Sequence, residues 1–338
     1  MKKSIFKNMK VEEIIKSMES KFFTIFKRYD AGNLNISLSY INKPDIFYEK
    51  QIYGNNTEII PASIIKLFSI NYFIYVLKEH NLLTPTTSTT VGEEINKKYV
   101  NKYLFKVGLK KGEKYRIIDL IDLAIIPSAS DAVYVLSRFV YNILFGVSLN
   151  DSSFISNFDD WEWMILRVAA EINKYYSDLL GIRLNLLDPT GIRREKIKIS
   201  DINKFLRYLI TNNSEILKIA AKSETNKINK KVFRSTNAFL RRNKPEFNPH
   251  VRGLKTGTLK GWKNLFLLYK LNSTEFITIL VSGCDKHSDT KELSKLIISE
   301  LENKLYNLSL WLCCNKIKLI IILNPRLKIG IYFYNGDI

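Results

Sequence analysis

The chain has 338 residues, of which 46% are hydrophobic and 25% charged, with a formal net charge of +19. That is the composition of a globular protein with a packed core, and it excludes disordered and collagen-like classes. The charge draws the protein toward anionic surfaces without saying which. Zinc-finger spacing, an aromatic-basic RNA-binding signature and a single basic tail are all missing, so nucleic acid is set aside as a partner and an anionic wall or membrane surface is retained.

Val11 to Phe26 places Ile14, Ile15, Met18, Phe22 and Phe26 near helical spacing and predicts an amphipathic first helix. Leu34 to Tyr40 and Asp45 to Tyr53 read as strands joined by the Asn42-Lys43-Pro44 turn. Pro61 and Ala62 open an apolar helix from Ser63 to about Lys78, which puts Ser63 at a helix N-terminus. Thr84 to Val91 is a connection, and a helix from Ile117 to Ile126 is stopped by Pro127, with Ser128 directly after the break.

Further helices are expected over 131–144, 161–180 and, capped by Ser200 and Asp201, 201–210; a polar segment, 149–160, separates the first two. Asp188-Pro189-Thr190-Gly191 is a turn. Leu254 to Thr256, Leu265 to Leu271 and Phe276 to Val281 read as successive antiparallel strands, followed by a helix from Asp289 to Leu305. The pattern predicts an α/β (α+β) fold, with an antiparallel sheet built from both chain ends and a helical part, about 67–250, inserted between them. Residues 306–338 fit this scheme poorly and are set apart as a tail, whose apolar and basic mixture suits a membrane surface.

Cys284, Cys313 and Cys314 form neither a disulfide framework nor a metal-ligand spacing. His80, His250 and His287 are dispersed, so no Ser/His/Asp triad is supported and each is read as structural or exposed. Trp161-Glu162-Trp163 is read as core packing. Glu12 and Glu13 arrive before any apolar run, so no secretory signal is visible, and no run of about 18 apolar residues marks a membrane span.

Three motifs carry the chemistry, and their order matters more than any one alone. In Ser63-Ile64-Ile65-Lys66 the serine and lysine share a helix face; a nearby helix N-terminus depresses the lysine's pKa and favours the anion formed on attack. Lys66 then serves as base to Ser63. Ser128-Ala129-Ser130-Asp131-Ala132 places a hydroxyl on a turn where it can pass a proton to a leaving amine. Lys255-Thr256-Gly257-Thr258 offers a strand-edge ammonium and hydroxyl for a carboxylate, and Gly257 allows close backbone approach. The backbone N–H groups of Ser63 and Thr258 are the natural oxyanion donors.

This ordered set resembles the signature of penicillin-binding proteins and β-lactamases. The string Pro61-Ala62-Ser63-Ile64-Ile65-Lys66-Leu67-Phe68, the Asp188-Pro189-Thr190-Gly191 turn and Asn264-Leu265 look most like low-molecular-mass D-Ala-D-Ala carboxypeptidases, with the likeness running from about Tyr48 to Leu305. The resemblance implies a β-lactamase/transpeptidase-like catalytic domain over 1–305 at the cell envelope. Ser63 is acylated by a peptidoglycan stem peptide or a β-lactam, Lys66 is the base, and Ser128 the proton donor to D-alanine. Ser130, Lys255, Thr256, Gly257 and Thr258 bind substrate, without metal or organic cofactor.

The family has asparagine where this chain has Ser130, and serine lacks the amide's paired donor and acceptor. Glu171 and Glu195 lie between the second and third motifs, but neither has the context of a class A β-lactamase's deacylating glutamate. β-Lactamase, a cytoplasmic glutaminase-like amidohydrolase and a catalytically inactive wall-peptide or anion binder stand as the alternatives.

Overall fold

The computed structural model describes residues 2–42, 46–212 and 214–322. In chain order, α1 (Lys2–Tyr29), β1 (Asn35–Asn42), β2 (Ile46–Tyr53) and β3 (Glu58–Ile59) lead to a 3₁₀ turn, Ala62–Ile64, and to α2 (Ile65–Glu79). Then follow β4 (Ser88–Thr90), β5 (Lys114–Arg116), α3 (Ile117–Ile125), α4 (Ser130–Leu144), α5 (Phe158–Leu180), β6 (Ile197–Lys198), α6 (Ile199–Thr211) and α7 (Glu215–Ala220). The chain returns through β7 (Val251–Leu259), β8 (Trp262–Lys270), β9 (Glu275–Cys284) and α8 (His287–Ile322).

The main sheet has the order β2-β1-β9-β8-β7 and is antiparallel throughout. It joins the two ends of the chain by pairing Leu38 of β1 with Ile279 of β9. Both faces of β1 are buried, which explains why seven of its eight residues are inaccessible and why simple alternation understated it. The apolar stripe of α1, including Ile15, Met18, Phe22 and Phe26, is buried as its spacing predicts.

Between α2 and β7 the chain is mainly helical. α2 is buried on nearly every side, polar Lys66, Ser69 and Asn71 included, and Phe68 stacks on Phe205 of α6 at 3.8 Å between ring centroids. Such a helix shows little amphipathic pattern, because it has no solvent face to mark with polar residues.

The polar 149–160 segment is held without a ladder of its own. Arg138 of α4, fully buried, pairs with Glu94 at 3.1 Å and donates to the carbonyls of Thr90, Leu149 and Asp151. One guanidinium thus satisfies the backbone of two loops, a role suited to its planar set of donors. Trp161 packs in the core and donates its indole N–H to the Glu94 carbonyl, whereas Trp163 is exposed, with the Arg167 guanidinium over its ring.

Several boundaries differ from expectation. Ser63 lies in the 3₁₀ turn just ahead of α2, not within its first α-turn. α6 begins at Ile199, with Lys198 in the capping position, so Ser200 and Asp201 sit in the first turn rather than capping it. The pairs β3/β6 and β4/β5 escape sequence reading because strands of two or three residues carry no period.

Two units divide the chain, Met1–Ser294 and Lys295–Ile338. The first holds the whole sheet and α1 to α7. In the second, α8 runs past Leu305 to Ile322, so the first part of the expected tail is helical; 323–338 lies outside the described residues. No helix among the described residues is long and apolar enough to cross a membrane.

Candidate active site

The three sequence motifs converge at one cleft of about 820 Å³, lined by Ser63, Ser128, Thr256 and Thr258 among others. Helical backbone from Ala62 through Glu79 sets Ser63 and Lys66 one turn apart on a shared face. Ser63 is partly exposed on the cleft, while Lys66 is fully buried.

Lys66 Nζ donates to the Ser128 carbonyl at 2.6 Å and to Ser130 Oγ at 2.8 Å, with Ser128 Oγ at 3.4 Å. Ser128 has a left-handed backbone, φ 68°, which non-glycine residues seldom adopt. That conformation, directly after Pro127, sets both the carbonyl and the hydroxyl of Ser128 on the ammonium. Burial pushes Lys66 down to about 7, with Asp131 and Asp188 partly opposing the shift. Near neutrality about half of such lysines are free amines able to take a proton.

Sequence reading treated Asp131 only as the residue that continues the second motif, yet its carboxylate is a hub. It accepts the N–H groups of Val107, Gly108 and Leu109 at 2.9–3.2 Å, and the Ser130 N–H donates to the Phe105 carbonyl. These bonds fix the 101–109 loop, whose Tyr103 and Phe105 form an exposed aromatic wall of the cleft. Nothing local in the sequence marks that loop, since its anchor lies more than twenty residues on.

Two glycines allow the Ser63 turn to be gripped from both sides. A Cβ on Gly191, φ 77°, would lie 2.2 Å from the Ala62 carbonyl oxygen. One on Gly257 would lie 2.5 Å from the Pro61 carbonyl oxygen. The first pins the Asp188-Pro189-Thr190-Gly191 turn against the residue before Ser63; Asp188 is itself buried and bonded to Thr190 and Tyr134, and Ser69 Oγ of α2 donates to the Pro189 carbonyl. The second brings β7 alongside the turn. The missing side chain of Gly257 also makes room for the protein's own turn at Pro61.

Asn264 of β8 completes that seam. Its amide donates to the carbonyls of Ile60 and Pro61 at 2.8 and 3.1 Å and accepts from Ser282 and Gly283. A Gly191→Ala variant therefore meets both a backbone clash and a strained φ. It is expected to lose about 2–4 kcal/mol of stability and with it the alignment of Ser63, measured by urea unfolding and by the rate of Ser63 labelling.

On β7, Lys255 is fully buried, donates to the Thr256 carbonyl at 3.3 Å, and is held well below the usual lysine range by burial and then by Lys66. Thr256 Oγ1 lies 2.6 Å from Thr236 Oγ1, and Thr258 Oγ1 lies 2.9 Å from His287 Nε2. His287 was read as structural or exposed, and it meets the third motif. Arg194, Lys260 and Lys263 also line the cleft, so its charge is positive. Among the described residues no cluster of His, Cys, Asp or Glu is arranged to hold a metal.

The same architecture occurs in solved structures. Penicillin binding protein 5 from Haemophilus influenzae superposes with a TM-score of 0.60 at 19% identity, over 78% of this chain and 69% of that one. The D-alanyl-D-alanine carboxypeptidase DacD from Francisella tularensis gives 0.59 at 14% identity, over 80% and 70%. Penicillin-binding protein D2 from Listeria monocytogenes, in its ampicillin-bound form, gives 0.56 at 14%, over 78% and 95%. The chain has the penicillin-binding protein and β-lactamase fold. The five-stranded antiparallel sheet built from both chain ends is the shared element. No family model and no curated protein sequence matches the chain.

Proposed function

We propose that the chain is a serine hydrolase working through an acyl-enzyme at Ser63, and that it acts as a D-alanyl-D-alanine carboxypeptidase on peptidoglycan stem peptides. The observation that carries this reading is Lys66: buried, pushed down to about 7, and hydrogen-bonded to both serines of the second motif one helical turn from Ser63. Its hydrogen-bond partners among the described residues are a carbonyl and two hydroxyls, while the carboxylates of Asp131 and Asp188 act on it only through space, a setting that tunes a lysine for proton transfer near pH 7.

In the proposed cycle Lys66 takes the Ser63 proton as the hydroxyl attacks the substrate carbonyl, and the Ser63 and Thr258 backbone N–H groups receive the oxyanion. Ser128 hands a proton to the departing amine, and Lys255 with Thr256 and Thr258 draws the substrate carboxylate to the β7 edge. Water then cleaves the acyl-enzyme. Ser130 supplies Lys66 with the acceptor that an asparagine carbonyl would give, at 2.8 Å, but not the amide donor. Residues 1–305 are proposed as the catalytic domain.

The test is labelling of the full chain with a fluorescent penicillin, followed by intact mass, beside Ser63→Ala. One adduct per chain that disappears in the variant is the expected result. A folded sample that takes no label overturns the reading and favours a non-catalytic anion binder.

A further inference from the structure

A second cavity of about 290 Å³ lies on the same strand edge, lined by Thr236, Thr256, Thr258, His287, Thr290 and Lys291. It shares Thr236, Thr256 and Thr258 with the cleft that holds Ser63, so the two spaces meet across the β7 hydroxyls. Its polar lining is two imidazole- and ammonium-bearing side chains from the first turns of α8 together with four hydroxyls, a set that can donate to an anion from several directions. Among the described residues, no carboxylate side chain is part of that lining.

Resting on the acyl-enzyme reading above, which already gives the substrate carboxylate to the β7 edge, we propose that His287 sets how well Thr258 receives that carboxylate, acting as a positioning residue from the wall of this cavity. The hydrogen bond between Thr258 Oγ1 and His287 Nε2, 2.9 Å, is the working part. A neutral imidazole with its proton on Nδ1 accepts the threonine hydrogen and turns only lone pairs toward the cavity. An imidazolium must donate through Nε2, which frees the Thr258 hydrogen for a carboxylate and adds a positive charge beside it. His287 is therefore a specificity-determining, positioning residue and takes no part in bond making.

The charged groups bearing on His287 are Lys263 of β8 and Lys291 on its own helix, the latter paired with Glu246 at 3.7 Å. Asp289, also in the first turn of α8, is engaged by the Ser288 hydroxyl. Burial, followed by the two lysines, lowers His287 below the ordinary histidine value, so its charged form appears only on the acid side of that value. Preference for a substrate carboxylate accordingly strengthens as pH falls.

The experiment compares acylation of Ser63 by a fluorescent penicillin and by its methyl ester, between pH 5 and pH 8, in the full chain, His287→Gln and His287→Lys. Lys66 titrates in both reactions and cancels in the ratio, and any contribution of Lys255 is common to all three chains, so the difference between the natural chain and His287→Gln isolates His287. The expected ratio in the natural chain rises about fivefold to tenfold from pH 8 to pH 5. It is lower and rises less in His287→Gln, and is high with little pH dependence in His287→Lys. Urea unfolding of each variant checks that the fold is kept. A ratio that ignores pH, or that titrates alike in His287→Gln, overturns the inference while leaving the acyl-enzyme standing; no Ser63 adduct from either compound removes the reading beneath it as well.

Discussion

Lys66→Met is expected to slow Ser63 acylation by about 10²–10⁴-fold, the usual worth of a positioned general base, while leaving the fold intact. Methionine is close in length to lysine and apolar, so it fits a site that is already fully buried. What it removes is the amine able to accept the serine proton. The pH profile of the natural chain provides the independent check. Because Lys66 is pushed down to about 7, the acylation rate with a neutral acyl donor should climb through that region and level off above pH 8. The neutral donor matters, because an anionic one adds the His287 limb in the opposite direction. A variant that labels as fast as the natural chain, or a profile flat from pH 5.5 to 8.5, moves the base role away from Lys66.

The candidate chemistry was legible in the sequence wherever it depends on neighbours along the chain. Ser63 and Lys66 are three apart on helical backbone, Ser128 follows a proline break, and Lys255 to Thr258 share one strand, so spacing alone brings each set onto one face or edge. The parts that tertiary contacts create were not legible. The turn that carries Ala62, φ 50°, and Ser63 depends on Gly191, over a hundred residues away, and on Gly257 still further on. Asp131 reads locally as a residue at a helix start, yet its carboxylate is spent on the loop at 107–109. His287 looked like an isolated histidine because the strand it meets is closed against it only when β9 and α8 fold back.

The fold followed the same division. The sheet was readable because β1, β8 and β9 are long runs of β-branched and aromatic residues, and the pairing of the two chain ends follows once consecutive strands are antiparallel. The short β3/β6 pair was not readable. It joins residues just before the nucleophile to those after the Asp188 turn, and so supports the same grip on Ser63 that the glycines permit. Local sequence thus names the candidate groups, and long-range packing holds them in place.

The features that suit the site to proton transfer also weaken the fold, and Lys255→Met should expose this as a gain in stability of about 1–3 kcal/mol at pH 7. Lys255 is buried beside a second buried lysine, and the hydrogen bond it makes among the described residues, to the Thr256 carbonyl, is long at 3.3 Å. Its folded-state pKa lies well below the usual value, and that of Lys66 at about 7. Between the folded and unfolded values the unfolded chain binds more protons, so stability must rise with pH. The penalty is full below the folded pKa and disappears above about 10.4, where both states are neutral. Urea unfolding of the natural chain should therefore show stability increasing from pH 7 to pH 9.5, and Lys255→Met should raise the whole curve and flatten that slope. The same variant should bind penicillin more weakly if Lys255 holds the substrate carboxylate as proposed. Should Lys255→Met prove less stable than the natural chain at pH 7, the buried lysine would be balanced by an interaction stronger than its hydrogen bond to the Thr256 carbonyl.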